Sequence, residues 1–156
     1  MRLSQNFTLA ECVKSDTAER LGLDNTPDAE TIERMKAVCT NILEAARHTY
    51  GRPVMVRSFY RSPEVNAAVG SKPNSQHVSG EAVDFEIPGV PNDELARWVR
   101  DRLTFDQCIL EFYKPGVPDS GWVHVSYKDG PCRKECLTVG AGGTVKGLPV
   151  QMHPFS

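Results

Sequence analysis

No stretch of this 156-residue chain is apolar for long enough to cross a membrane. The N-terminus, Met1-Arg2-Leu3-Ser4-Gln5-Asn6-Phe7, lacks the apolar core of a secretory signal. Synthesis in the cytoplasm, with no signal peptide and no membrane insertion, is therefore expected. An excess of one charge is also missing. The 18 Lys+Arg against 20 Asp+Glu leave a net charge of −2, which removes the electrostatic case for a nucleic-acid partner or an anionic membrane surface. Cysteine is sparse and odd in number. Cys12, Cys39, Cys108, Cys132 and Cys136 form no dense framework, so free thiols in a reducing compartment are expected. Cys132-x-x-x-Cys136 with His153 lacks an evident fourth ligand for a structural zinc site, and the two read as ordinary thiols. There is no internal repeat. With 40% hydrophobic and 24% charged residues the composition is that of an ordinary folded protein, and the length suits one domain over 1–156, expected as a monomer.

Against this plain background one stretch stands out. Ser75-Gln76-His77-Val78-Ser79-Gly80-Glu81-Ala82-Val83-Asp84 sets a histidine and a carboxylate seven residues apart across a glycine. An imidazole nitrogen and a carboxylate oxygen suit a borderline ion such as zinc, and a catalytic zinc takes three protein ligands with a fourth position for water. Trp122-Val123-His124-Val125-Ser126-Tyr127 supplies the third, since strand alternation puts Trp122, His124 and Ser126 on one face. A helix would also place His77 and Asp84 on one face. Ser79-Gly80 followed by Ala82-Val83-Asp84-Phe85-Glu86-Ile87 favours a turn running into a strand.

The rest of the chain reads as a frame. Thr8-Leu9-Ala10-Glu11 is a capping box and Ser15-Asp16-Thr17 opens a second short helix, making an N-terminal helical clasp over about 1–25. Thr26-Pro27 reads as the cap and first turn of the longest helix, whose stripe of Ile32, Met35, Val38, Cys39, Ile42, Leu43 and Ala46 should lie on a sheet until Gly51 stops it. Strands are expected at 54–58, 82–87, 105–112, 122–127 and 135–139, with short helices from Ser62 and from a capping Asn92. A glycine-rich tail over about 140–156 reads as loosely held.

Three blocks carry a family resemblance. Ser58-Phe59-Tyr60-Arg61-Ser62, the Ser75 to Asp84 block and Trp122-Val123-His124-Val125-Ser126 occur in the order seen in the zinc D-alanyl-D-alanine carboxypeptidases and peptidoglycan endopeptidases. The chain resembles that family over residues 4 to 140, and most closely its phage endolysin members. The resemblance implies an α+β fold of the Hedgehog/DD-peptidase kind, with helices on one side of a small, mainly antiparallel sheet and a zinc cleft on the other. It implies one Zn2+ per chain held by His77, Asp84 and His124, and hydrolysis of stem or cross-link peptides of peptidoglycan at the cell wall after release from the cytoplasm.

The base that completes such a site is less evident. Glu111 is the first candidate, because it lies on the strand before the His124 strand within an otherwise apolar run. Asp119 is second, and Glu86, on the Asp84 face, is third. Some family members carry an acid three residues before the last histidine, where this chain has Gly121. Arg61 resembles the family arginine that steadies substrate or oxyanion, although Phe59 stands where glycine is usual; Arg57 reads as structural. Ser75, Gln76 and Trp122 are candidate substrate contacts, the first two also able to fix the His77 tautomer. The competing classes are non-catalytic: a binding module stabilised by zinc, marked by a missing acid or a fourth protein ligand, and a metal-free virion structural protein, which would bind no metal.

Overall fold

The computed structural model describes residues 1–150; the expectations for His153 and the end of the tail lie outside them. The chain opens with α1 (Leu9–Val13) and α2 (Asp16–Leu21). Thr8 and Glu11 cap α1 reciprocally, and the Ser15 hydroxyl accepts the Ala18 N–H at the start of α2. This clasp is tied down at both ends. Glu44 accepts hydrogen bonds from the Ser4 hydroxyl and from the backbone and side chain of Asn6, while the Asn25 amide donates to the carbonyls of Val13 and Tyr60.

A long helical run follows as α3 (Ala29–Val38), a π turn (Cys39–Leu43) and α4 (Glu44–Tyr50), ending at Gly51. Its cap differs from the sequence expectation. Asp28, not Thr26, accepts the Thr31 N–H, because Thr26 is engaged with the Asp24 carboxylate in a turn of its own. Of the expected stripe, Met35, Val38, Cys39, Ile42, Leu43 and Ala46 are inaccessible to solvent, and Ile32 is partly buried against them.

The remaining elements are β1 (Met55–Ser58), α5 (Pro63–Ala68), β2 (Ala82–Glu86), α6 (Asn92–Arg102), β3 (Gln107–Glu111), β4 (Trp122–Ser126), β5 (Glu135–Gly140) and β6 (Gly143–Lys146). Asn92 begins α6 rather than capping it. Its side chain turns away from the helix to donate to Glu86 and to the carbonyls of Ser120 and Gly121.

The strands form one sheet in the order β1-β2-β4-β3-β5-β6. Every pairing is antiparallel except β3 with β5, so the sheet is mixed and mainly antiparallel. The sixth strand was not read from the sequence. Gly143–Lys146 pairs with β5 through a tight turn, but all four of its residues are exposed, so neither alternation nor an apolar run marks it.

Period-two alternation divides the sheet into two faces. Val83, Phe85, Cys108, Leu110, Val123 and Val125 point to the core, against Met35, Val38 and Ile42 of the long helical run and Leu95, Ala96 and Val99 of α6. Helices therefore cover one face. The opposite face carries Asp84, Glu86, Glu111, Trp122, His124 and Ser126, and β2 is buried on both of its faces.

Candidate active site

The centre of the polar face is where β2 and β4 run side by side with Asp84 opposite His124. The loops around Phe59 and His77 fold back over this point. Arg61 donates its backbone N–H to the His77 carbonyl, which ties the two loops together. His77 arrives on a turn that presses against α3. Gly80 makes that contact possible, since a Cβ there would meet Met35 and Thr31 side-chain carbons at 2.8 Å, and its φ of +77° suits glycine.

His77, Asp84 and His124 converge. One donor atom from each lies within 4.8 Å of the others, and all three residues are buried. Asp84 Oδ1 is 3.3 Å from His77 Nε2 and 2.9 Å from His124 Nδ1. His77 Nδ1 is 2.6 Å from the Phe59 carbonyl oxygen. A carbonyl only accepts, so Nδ1 carries the hydrogen and Nε2 keeps its lone pair toward Asp84. Ligands bonded at 2.0–2.2 Å to a tetrahedral ion stand about 3.4 Å apart. Two imidazole nitrogens and a carboxylate at these spacings fit a zinc ion.

Without an ion, the three groups act on one another through their own charges. Burial pushes the Asp84 carboxyl up, yet the two imidazoles outweigh it and hold the group well below the usual carboxylate range. Burial pulls His124 down, while its hydrogen bond to Asp84 and the charges of Asp84 and Glu111 raise it overall.

Glu111 lies on the same face, paired with Trp122 across β3 and β4. Its carboxyl is raised, first by burial and then by the Asp84 charge, with His124 and Arg61 opposing. The Trp122 indole also favours the charged form, though its N–H is buried without a partner at hydrogen-bonding distance. Arg61 is half-buried and feels both Asp84 and Glu111, and its Nε is likewise buried without a partner. Asp119 is exposed in the turn between β3 and β4, with no ion pair to this group. An acid at position 121 is sterically closed. A Cβ there would lie 2.0 Å from the Glu111 carbonyl oxygen and 2.7 Å from backbone atoms of Phe112 and Tyr113.

Residues 5–126 match the family model described as Peptidase M15. The chain belongs to the M15 peptidases. M15 peptidases are zinc-dependent and act on peptidoglycan in general, so the chain is a peptidase with a peptide substrate of that class. No curated protein matches the chain.

The M15 match ends with β4 and leaves β5 and β6 outside it. Within it, the other expected contacts are held from behind. The Ser75 hydroxyl accepts the His77 N–H, and the Gln76 amide donates to Asp106 at 3.0 Å. Asp106 is fully buried and also accepts from the Arg133 backbone and guanidinium, which hold its carboxyl far below the usual range. The sequence reading missed Asp106 and Asn25, which brace the His77 and Arg61 loops. It also placed Arg57 off the site, whereas Met55 stands opposite Glu86 and Arg57, two residues on along β1, reaches Glu86 and the Trp122 ring. Only the register of β1 against β2 reveals this.

Proposed function

We propose that this M15 chain is a zinc metallopeptidase of peptidoglycan stem or cross-link peptides, with His77, Asp84 and His124 as the metal ligands. The observation that carries the reading is the convergence of those three buried donors, with a half-buried acid, Glu111, on the same sheet face. A zinc ion held there supplies Lewis acidity, which acidifies water and polarises the scissile carbonyl. Glu111 takes the water proton and passes it to the leaving amine. Its raised carboxyl supports that role, since a base used near neutral pH works best with a pKa brought toward it. Arg61 steadies the oxygen that gains negative charge, and its unpartnered Nε supports this assignment. Asp84 holds both imidazoles in register. Ser75 fixes the His77 backbone, while Gln76 and Trp122 line the approach of the substrate.

The finer reading is a phage or prophage endolysin, monomeric, made in the cytoplasm and released to the wall by a separate membrane-permeabilising factor. It draws on the resemblance of the three motif blocks. No helix among the described residues is long and apolar enough to cross a membrane. Co-expression tests it: lysis should require both this chain and the permeabilising factor, and lysis by the chain alone would overturn the release step.

The deciding experiment is digestion of purified peptidoglycan by the wild type and by Glu111→Ala, with zinc measured on both and released peptides identified by mass. Peptide release by the wild type, and none by a variant that keeps its metal, supports the assignment. A wild type that binds zinc but releases nothing from any wall type would leave the non-catalytic module.

A further inference from the structure

Away from the ligand group, the sheet brings two thiols together. Cys108 of β3 and Cys136 of β5 are register partners in the parallel ladder, with Gln107 opposite Glu135 on one side and Ile109 opposite Leu137 on the other. Partners on adjacent strands stand about 4.8 Å apart, within the span of roughly 4.4–6.8 Å between the Cα atoms of a disulfide. Both side chains leave the sheet on its core face. Cys108 is fully buried in the apolar cluster, and Cys136 packs against that cluster while keeping part of its surface open. Both are free thiols.

The two thiols differ in character. Cys108 is pushed up, first by its neighbour Cys136 and then by burial, and its Sγ faces the Ala96 carbonyl oxygen at 3.6 Å. Cys136 is pushed down to about 7, first by Cys108, with Arg100 of α6 and Lys134 assisting and burial and Asp101 opposing. A thiol whose pKa lies near the ambient pH is the best attacking group in disulfide exchange. One partner is therefore open and nucleophilic, and the other is buried directly behind it. Cys12 and Cys39 are also neighbours, but both are fully buried and no external oxidant reaches them. Cys132 turns its Sγ to the Lys128 carbonyl oxygen at 3.5 Å.

We propose that Cys108 and Cys136 form a dithiol redox site, which a low-molecular-weight disulfide such as glutathione disulfide closes into a covalent link between β3 and β5. The Cys136 thiolate, its proton given to solvent, attacks one sulfur of the oxidant. A mixed disulfide forms as the oxidant's own S–S bond breaks, and the first small thiolate leaves and takes up a proton. Cys108 then loses its proton and attacks the Cys136 sulfur, which releases the second small thiol. Two protein thiols give up two electrons and two protons, and one small disulfide gains them to become two thiols. The link closes a loop that contains β4 with His124, and it pins β5, whose Val139 stands opposite Glu111. It also anchors the β5–β6 hairpin, of which β6 is wholly exposed. Cys136 lies beyond the residues that match the M15 model, and the site is independent of the peptidase reading.

The test treats the folded full chain with glutathione disulfide at pH 7.5, blocks the remaining thiols with iodoacetamide in denaturant, and maps the peptides by mass. Two of the five thiols should be lost, a linked Cys108–Cys136 peptide should appear, and dithiothreitol should restore both thiols. Cys108→Ala should stop at a mixed disulfide on Cys136, Cys136→Ser should give neither adduct nor link, and Cys132→Ser should close as the wild type does. The closed wild type should melt higher than the reduced one by roughly 5–15 °C. Circular dichroism checks the fold of each variant, and the wild-type linkage map decides the matter even where a core substitution at Cys108 fails to fold. Five unreacted thiols, a wild type that halts at the mixed disulfide, a Cys132–Cys136 link, or a closed form that melts no higher than the reduced one would each overturn the inference.

Discussion

Glu111 and Asp119 are both acids near His124 in sequence, and the structure separates them by environment. One is half-buried on the metal face beside Trp122, the other exposed in a turn. Glu111→Gln keeps shape and hydrogen-bonding capacity but cannot take a proton. Turnover should fall by about 10²- to 10⁴-fold with zinc content unchanged, as metal analysis and kinetics on the same sample would show. Asp119→Asn should leave turnover within about twofold. The convergence of His77, Asp84 and His124 was legible because strand alternation and one glycine dictate which side chains share a face. Arg57 was not, since its place beside Glu86 depends on the register of β1 against β2, which no local pattern records.

At the scale of elements, helix starts were legible where the cap is local, as at Thr8, Ser15 and Ser62. They were misread where a tertiary partner competes: Asp24 takes Thr26, and Glu86 with the β3–β4 turn takes Asn92. The start of β3 is anchored by Asp106, which joins Gln76 to Arg133. Because its carboxyl is held below the unfolded value of about 3.9, the native state binds fewer protons than the unfolded one in the acid range. That stability is complete above about pH 4 and is lost as pH falls further. Asp106→Asn should therefore destabilise the protein at pH 7 by about 3 kcal/mol and flatten the acid limb of its stability curve. Denaturant unfolding across pH would show both. β5 joins β3 through Cys108 and Cys136, register partners on adjacent strands. The Cys136 thiol is pushed down to about 7 chiefly by the neighbouring Cys108 thiol, with Arg100 and Lys134 helping against burial. Iodoacetamide at pH 7.5 should label Cys136 ahead of the buried Cys12 and Cys39, as peptide mass mapping would reveal; equal labelling would contradict this packing.

For the whole molecule, the apolar cluster runs from Leu3 and Phe7 through the long helical run to Val123 and Val125, independent of the ligand face. Chelation should therefore lower the unfolding midpoint without unfolding the chain. The loss is about 4 kcal/mol if zinc was present at a thousand times its Kd, and thermal melts with and without chelator would measure it. Collapse of the chelated protein to an unfolded chain would show instead that the metal organises the fold. The strands, the long helical run and the residues that face the core were legible from alternation and helical spacing, and the α+β class from the resemblance of three motif blocks. The parallel placement of β5 was not, because strand order depends on long-range pairing that no local pattern records. The crowding at Gly121 bears on how this protein can change. If every codon of the β3–β4 turn were randomised and the survivors sequenced, the neighbouring exposed positions should return many residues and position 121 only glycine. A lineage built on this backbone is thereby shut out of the acid-at-121 arrangement and must keep its acid on the adjoining strand.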